Sequence, residues 1–254
     1  MATRFIDARD GTRIAVFEEG NPAGPTVVFV HGWPDSHVVW DGVAALLGGD
    51  YRIIRYDNRG AGASSVPATV PDYALARLAD DFGDVVDALC PQVPVHVVGH
   101  DWGAATMWEY LSRPDAADRV ASYTSISGPD PQHLSRFVRD GLARPYRPRR
   151  FGRALSQAAH FSYMIGFSVP VLMPAAMRTF LARAINRWFI APGIPAQQRH
   201  QSDTFVADAT NGLKIYRANF FHALTHAERN RFVSVPVQLI VNTQDVFVRP
   251  YVYD

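Results

Sequence analysis

Across 254 residues the chain has one cysteine, Cys90, and one lysine, Lys214. A lone cysteine excludes an intramolecular disulfide framework and a zinc site built from cysteines, which fits a reducing compartment. No run of about 18 apolar residues is free of a breaker, so no membrane-spanning helix is expected. The longest candidate, residues 161–177, is interrupted by Pro170 and Pro174. Residues Met1 to Asp7 contain no apolar core of a secretory signal, and a cytoplasmic location is the expectation. Disordered and fibrous classes are excluded by a composition that is 48% hydrophobic and 19% charged. The length fits one large α/β domain or two small ones, with room for a sizeable core.

With lysine nearly absent, the positive charge is arginine, and it is unevenly placed. Residues 136–200 hold eleven arginines against one acid, Asp140, a net of +10, so with a total of +1 the remainder carries −9. Such a block binds nucleic acid or anionic lipid, or is a solvated face balanced by the acidic remainder. An apolar stretch around Phe161, Met164, Ile165, Phe167, Leu172 and Met173 lies beside the arginines. Peripheral contact of this segment with a membrane is therefore kept as an expectation, and a nucleic-acid partner is not.

Strand-like and helix-like patterns alternate along the chain. Residues 4–7 and 12–18 flank the turn pair Asp10-Gly11 and read as an opening hairpin. Continuous apolar runs at 27–30, 51–56, 93–98, 120–126 and 235–241 each end in polar or glycine residues, the pattern of parallel strands buried on both faces. Between them, residues 75–89 place apolar side chains at 75, 78, 82, 85, 86 and 89, a helical stripe, and 104–111 reads as a second helix closed by Pro114. This order gives a mostly parallel sheet covered by helices. Residues 129–230 break the rhythm with a helix-rich, arginine-rich insertion, read as a lid over the C-terminal ends of the strands. The expected division is 1–128 for the first part of the core, 129–230 for the lid and 231–254 for the second part, incomplete at its C-terminal end.

The strongest chemical signal is Val97-Val98-Gly99-His100-Asp101-Trp102-Gly103-Ala104-Ala105. A strand runs into small-X-acid-X-small and then a helix, which is the sequence of a nucleophile elbow with Asp101 where serine usually stands. A carboxylate there attacks carbon directly and needs no base to deprotonate it first. The alternative reading makes Asp101 an N-cap of the following helix.

On these residues the chain resembles an α/β hydrolase of the epoxide hydrolase and haloalkane dehalogenase branch. His31-Gly32-Trp33-Pro34 resembles the family's HGxP turn, which implies that the backbone N–H groups of Trp33 and Trp102 form an oxyanion hole. Asp57 to Ser64 resembles the DxRGxGxS turn, taken as scaffolding, and His31 is taken as structural. Residues 162–170 and 212–217 resemble the two lid segments that carry the tyrosines of epoxide hydrolases, which map onto Tyr163 and Tyr216. Phenols there would bind the oxygen of an opening epoxide and pass it a proton; packing is the alternative for any one of ten tyrosines. Residues 239–248 resemble the late strand whose acid orients the catalytic histidine, which makes Asp245 the triad acid, against the alternative of a surface-loop aspartate. Phe167 is expected to touch substrate.

None of the nine histidines follows Asp245. His100 is expected to point away from the nucleophile, and His222 and His226 are weak substitutes on the insertion. The expectation is a histidine beyond Asp254, in a longer protein that resembles relatives joined to a short-chain dehydrogenase domain. The resemblance implies an epoxide hydrolase acting on a small hydrophobic epoxide through an Asp101 ester, without metal or organic cofactor. A haloalkane dehalogenase is the alternative, with the Trp102 indole as one halide donor and no asparagine at position 33 for the other. A non-catalytic ligand-binding domain is a further alternative, and a homodimer stays open.

Overall fold

The computed structural model describes residues 2–190, 194, 202–220 and 232–254. Two strands open the chain, β1 (Ala2–Asp7) and β2 (Arg13–Gly20), paired antiparallel with Ile6 opposite Ile14. Gly11 takes φ 83° in the turn between them, a conformation that costs glycine little. Strands β3 (Thr26–Val30), β4 (Arg52–Tyr56), β5 (Val95–His100), β6 (Val120–Ile126) and β7 (Val237–Ile240) complete one sheet in the order β1-β2-β4-β3-β5-β6-β7. The pairs from β4 through β7 are parallel, whereas β1–β2 and β2–β4 are antiparallel.

Two expected strands shift. The run at 93–98 becomes 95–100, because Val93 is exposed and Pro94 has no N–H to give a ladder. The run at 235–241 shortens to 237–240, although the Pro236 carbonyl still accepts from the Tyr123 N–H.

Helices α1 (Asp41–Leu47), α2 (Leu75–Leu89), α3 (Trp102–Leu111) and α4 (Ala116–Arg119) cross between the parallel strands. Alternate residues of one strand serve opposite layers. Val28 and Val30 pack with Phe82, Val85 and Val86 of α2 and Met107 of α3, whereas Val27 and Phe29 pack with Trp40 and Ala44 on the α1 side. Every apolar position of the 75–89 stripe is buried, each such side chain contributing about 1.5–3 kcal/mol. The buried ionic groups behind the site are paired: Arg59 meets Asp81 at 2.6 and 2.7 Å and Asp10 at 2.9 Å, and Asp57 accepts from His37 and the Ala63 N–H.

After β6 the chain leaves the sheet. Helices α5 (Pro131–Leu142), α6 (Pro148–His160), α7 (Tyr163–Phe167), α8 (Leu172–Ala176), α9 (Ala182–Ile185) and α10 (Phe205–Asn219) form the helical insertion between β6 and β7, the segment expected as the lid. Five-residue π turns at Met177–Leu181 and Asn186–Ile190 continue α8 and α9 into one helical run. The lid has its own small core of Met177, Ala182, Phe205, Ala209 and Leu213. Among the described residues no single helix is long and apolar enough to cross a membrane. His222 and His226 lie outside the described residues.

Candidate active site

Strands β3 and β5 run side by side, with Val30 opposite Gly99, and their C-terminal ends build the floor of the site. The chain turns at Asp101, which has φ 53° and ψ −123°, before α3 begins at Trp102. A left-handed φ on a non-glycine residue is backbone strain of order 1–3 kcal/mol, held by its surroundings. Gly103 lies so close to the end of β3 that a Cβ there would strike the Val30 and His31 carbonyls. The N-cap alternative for Asp101 does not hold, because its side chain makes no capping bond to α3. The expected helix 104–111 starts two residues earlier because the elbow turns at Asp101 itself.

The carboxylate instead faces the turn after β3. The Trp33 N–H donates to Asp101 Oδ1 at 2.8 Å, and the Trp102 N–H also donates to the carboxylate. These are the two backbone donors expected of an oxyanion hole. Burial pushes the Asp101 carboxyl up, the charge of His100 and the two N–H groups pull it down, and the charge of Asp245 pushes it up again, with a net rise.

Tyr163 on α7 and Tyr216 on α10 come together at the cavity that Asp101 lines, their rings 6.1 Å apart and edge to face. Tyr216 is buried in a cage of aromatic edges, with Trp33, Trp102 and Phe167 at 5.3, 5.2 and 5.2 Å. Burial drives both phenols well above the usual tyrosine range, and the negative charge of Asp101 adds to it. Both therefore remain protonated donors across the neutral range. Phe167 touches Tyr163 as well, at 5.3 Å.

Asp245 stands at the same cavity, in the turn after β7. Its Oδ1 accepts from the Phe247 and Val248 N–H groups at 2.7 and 3.0 Å, which fixes the carboxylate. No histidine among the described residues is hydrogen-bonded to it. His31 is structural, as expected: Nε2 accepts from the Asn58 N–H at 2.9 Å and Nδ1 meets the Gly32 carbonyl.

His100 departs from expectation. It lines the cavity, and its charge acts on both Asp101 and Asp35, because it sits on the last turn of β5 beside the elbow. Asp35 is a cavity residue that the motifs did not single out; burial pushes its carboxyl up to about 6, with His100 opposing and Asp101 adding. The signal for it was its place two residues after Trp33 on the same turn. Phe247 was missed as well: its ring meets Tyr163 at 4.9 Å.

These groups share one cavity of about 960 Å³, walled largely by aromatic and aliphatic side chains, with Asp101, Asp245, Tyr163, Tyr216, Asp35 and His100 among its polar groups. Among the described residues no cluster of side chains is suited to hold a metal ion.

Residues 25–166, more than half of the chain and including the elbow, match the model of the alpha/beta hydrolase fold family. A Mycobacterium tuberculosis protein named probable oxidoreductase EphD is 54% identical over 255 residues, covering 99% of this chain and 43% of that protein. The chain thus spans less than half the length of that relative. Epoxide hydrolase A of the same organism is 30% identical over 185 residues, 72% of this chain and 53% of that one. In structure, a Bacillus megaterium epoxide hydrolase solved with an inhibitor superposes with TM-score 0.79 at 21% identity, over 99% of this chain and 86% of that one, which speaks for the fold. With its parallel sheet, elbow and helical lid, the chain belongs to the alpha/beta hydrolase fold family.

Proposed function

We propose that this chain is the hydrolase part of an epoxide hydrolase, opening a hydrophobic epoxide through an ester on Asp101. The observation that carries the reading is the placement of the Asp101 carboxylate and two neighbouring phenols in one largely apolar cavity. Trp33 holds Oδ1, so the carboxylate is presented to an epoxide carbon in a fixed orientation. The new C–O bond forms as the ring C–O bond breaks, and the oxygen leaves as an alkoxide. Tyr163 and Tyr216 hydrogen-bond that oxygen and supply its proton.

In the second half, water attacks the ester carbonyl carbon, the oxyanion is held by the Trp33 and Trp102 N–H groups, and the Asp101 carboxylate is released with the diol. That step needs a base beside Asp245. None of the described histidines is hydrogen-bonded there.

Dehalogenation is disfavoured at Trp33: its Nε1 donates to the Ala209 carbonyl at 2.9 Å and is not left for a departing halide.

Incubation of the 254-residue chain with styrene oxide or a fatty epoxide tests the reading by mass spectrometry. We expect an adduct of one epoxide mass on the peptide containing Asp101. Asp101→Asn should lower the alkylation rate by at least about 10⁴-fold. Equal alkylation of the Asn variant would remove Asp101 as nucleophile. Halide release from alkyl halides without epoxide opening would favour the dehalogenase, and tight binding of epoxide without any adduct the ligand-binding module.

A further inference from the structure

The helical run from Leu172 to Ile190 has two unlike faces. On the inner side Met177 and Ala182 are fully buried in the lid core, and Leu181, Ile185 and Ile190 line the cavity. On the outer side Leu172, Phe180 and Trp188 are 71%, 63% and 68% exposed. Because α turns alternate with π turns, the run advances about four residues per turn, so residues eight apart fall on one line. The three large apolar side chains form that line. Arg183 and Arg187, four apart, run along the next, and Arg178, also exposed, precedes them in the run.

These arginines are not neutralised. Arg183 donates to the Thr179 carbonyl at 3.3 Å and Arg187 lies over the Trp188 ring at 5.4 Å. None of the three meets a carboxylate among the described residues, and no acid occurs between residues 141 and 202. The run also begins at a sharp corner: residues Pro148–Phe167 and Leu172–Trp188 meet at 86°, and Val171 at the corner is 83% exposed.

Charge selects among the occupants of such a face. A second copy of the lid would set arginine against arginine. A purely polar acidic partner leaves the tryptophan, phenylalanine and leucine in water. An anionic lipid surface satisfies both: guanidinium groups stay at headgroup phosphates while the aromatic and aliphatic side chains enter the interface. We propose that the outer face of residues 172–190 docks the protein on an anionic lipid surface. The inner face of the same helix walls the cavity, so docking brings an apolar pocket next to a lipid phase that holds apolar substrates. The proposal is independent of which reaction the pocket performs.

Co-sedimentation with phosphatidylcholine vesicles, with and without phosphatidylglycerol, tests it. We expect binding only to the anionic vesicles, weakened by salt. At about fivefold per arginine, Arg178→Glu, Arg183→Glu and Arg187→Glu together should reduce partitioning at least about 100-fold. Brominated lipid should quench the tryptophan fluorescence of the parent, and Trp188→Phe should abolish that quenching. The variants lie on the surface, so an unchanged melting temperature confirms that they fold. No binding to anionic vesicles at low salt, or undiminished binding of the triple variant, overturns the proposal. So does a Phe180→Ser, Trp188→Ser protein that turns from dimer to monomer in sedimentation velocity with vesicle binding intact, since the face would then belong to a second copy.

Discussion

Gly32→Ala puts the site geometry under direct load. A methyl group built on Gly32 would stand 2.5 Å from the Cβ of Asp101 and 2.8 Å from the His100 carbonyl oxygen, and closer still to Asp101 Oδ1. Ordinary contact begins near 3.4 Å, so the turn and the elbow must part by about 1 Å, and neither is a flexible side-chain tip. The pairing of Val30 with Gly99 fixes the two strands just behind them. The 2.8 Å bond from Trp33 N–H to Oδ1 then stretches beyond hydrogen-bond range. A 1 Å misplacement of a reacting group costs about 10²-fold, and loss of one oxyanion donor costs about 10²–10³-fold in the hydrolytic half. Overpacking adds a stability loss of about 1–3 kcal/mol.

Quenched-flow mass spectrometry of the Asp101 adduct reads the rate, and thermal unfolding reads the stability. Gly42→Ala is the control: Gly42 is exposed on α1 with no atom near its added Cβ, and alanine there should stabilise by up to about 1 kcal/mol without touching the rate. A Gly32→Ala protein that forms the adduct at the parental rate would refute the assignment of the Trp33 turn to the nucleophile.

The phenols and the titrating carboxylates give two further expectations. Tyr163→Phe and Tyr216→Phe should each slow ring opening about 10–100-fold and together about 10²–10⁴-fold, with stability within about 1 kcal/mol because the aromatic edges remain; a double variant that forms adduct at full rate would remove both as acids. The second concerns stability against pH. Burial pushes Asp10 up, but the Thr12 N–H and hydroxyl and Arg59 outweigh it and bring it down to about 2, whereas burial raises Asp208 to about 6 against its bonds to Thr204 and Gly62. Asp10 therefore adds stability above pH 4, about 1 kcal/mol or less once solvent screening of this exposed group is counted, that is lost as pH falls towards 2, and charging the buried Asp208 costs about 3 kcal/mol that appears as pH rises from 4 through 6. Asp208→Asn should raise the melting temperature at pH 8 and leave it unchanged at pH 4.5; a lower value at pH 8 would show that the carboxylate is stabilising there.

The elbow was legible because its requirements are local. Small residues at 99 and 103 around an acid, after a buried strand, specify one backbone path, and Asp101 follows it. The tyrosines were legible only through resemblance, since nothing in the spacing of residues 163 and 216 brings them together; burial of α10 against the core does. Asp35, His100 and Phe247 escaped for the same reason in reverse. Their roles come from tertiary neighbours, and each stands in a segment whose motif already had another explanation. The strand boundaries at residues 95 and 237 moved because Pro94 and Pro236 break the ladder, a local cue that apolar runs override when read alone.

Helix α10 ties the lid to the chemistry. Its Asp208 accepts from the Gly62 N–H at 3.0 Å, Asn211 donates to the Gly60 carbonyl, Lys214 donates to the Pro67 carbonyl, and Asn219 joins the Leu75 N–H to the Tyr73 carbonyl. The Trp33 indole donates to its Ala209 carbonyl, and Gly212 is small where that indole presses on the helix. One residue, Trp33, thus holds the nucleophile with its backbone and the helix bearing Tyr216 with its side chain. On the proposed mechanism, the distance between the attacking carboxylate and the proton donor is therefore set in part by this one aromatic group. By contrast, Tyr163 stands on the five-residue α7 and meets its neighbours mainly through ring edges. Of the two phenols, Tyr216 is the fixed one and Tyr163 the one free to adjust to the substrate, so differences in substrate size should act through α7 while the geometry at Tyr216 stays constant.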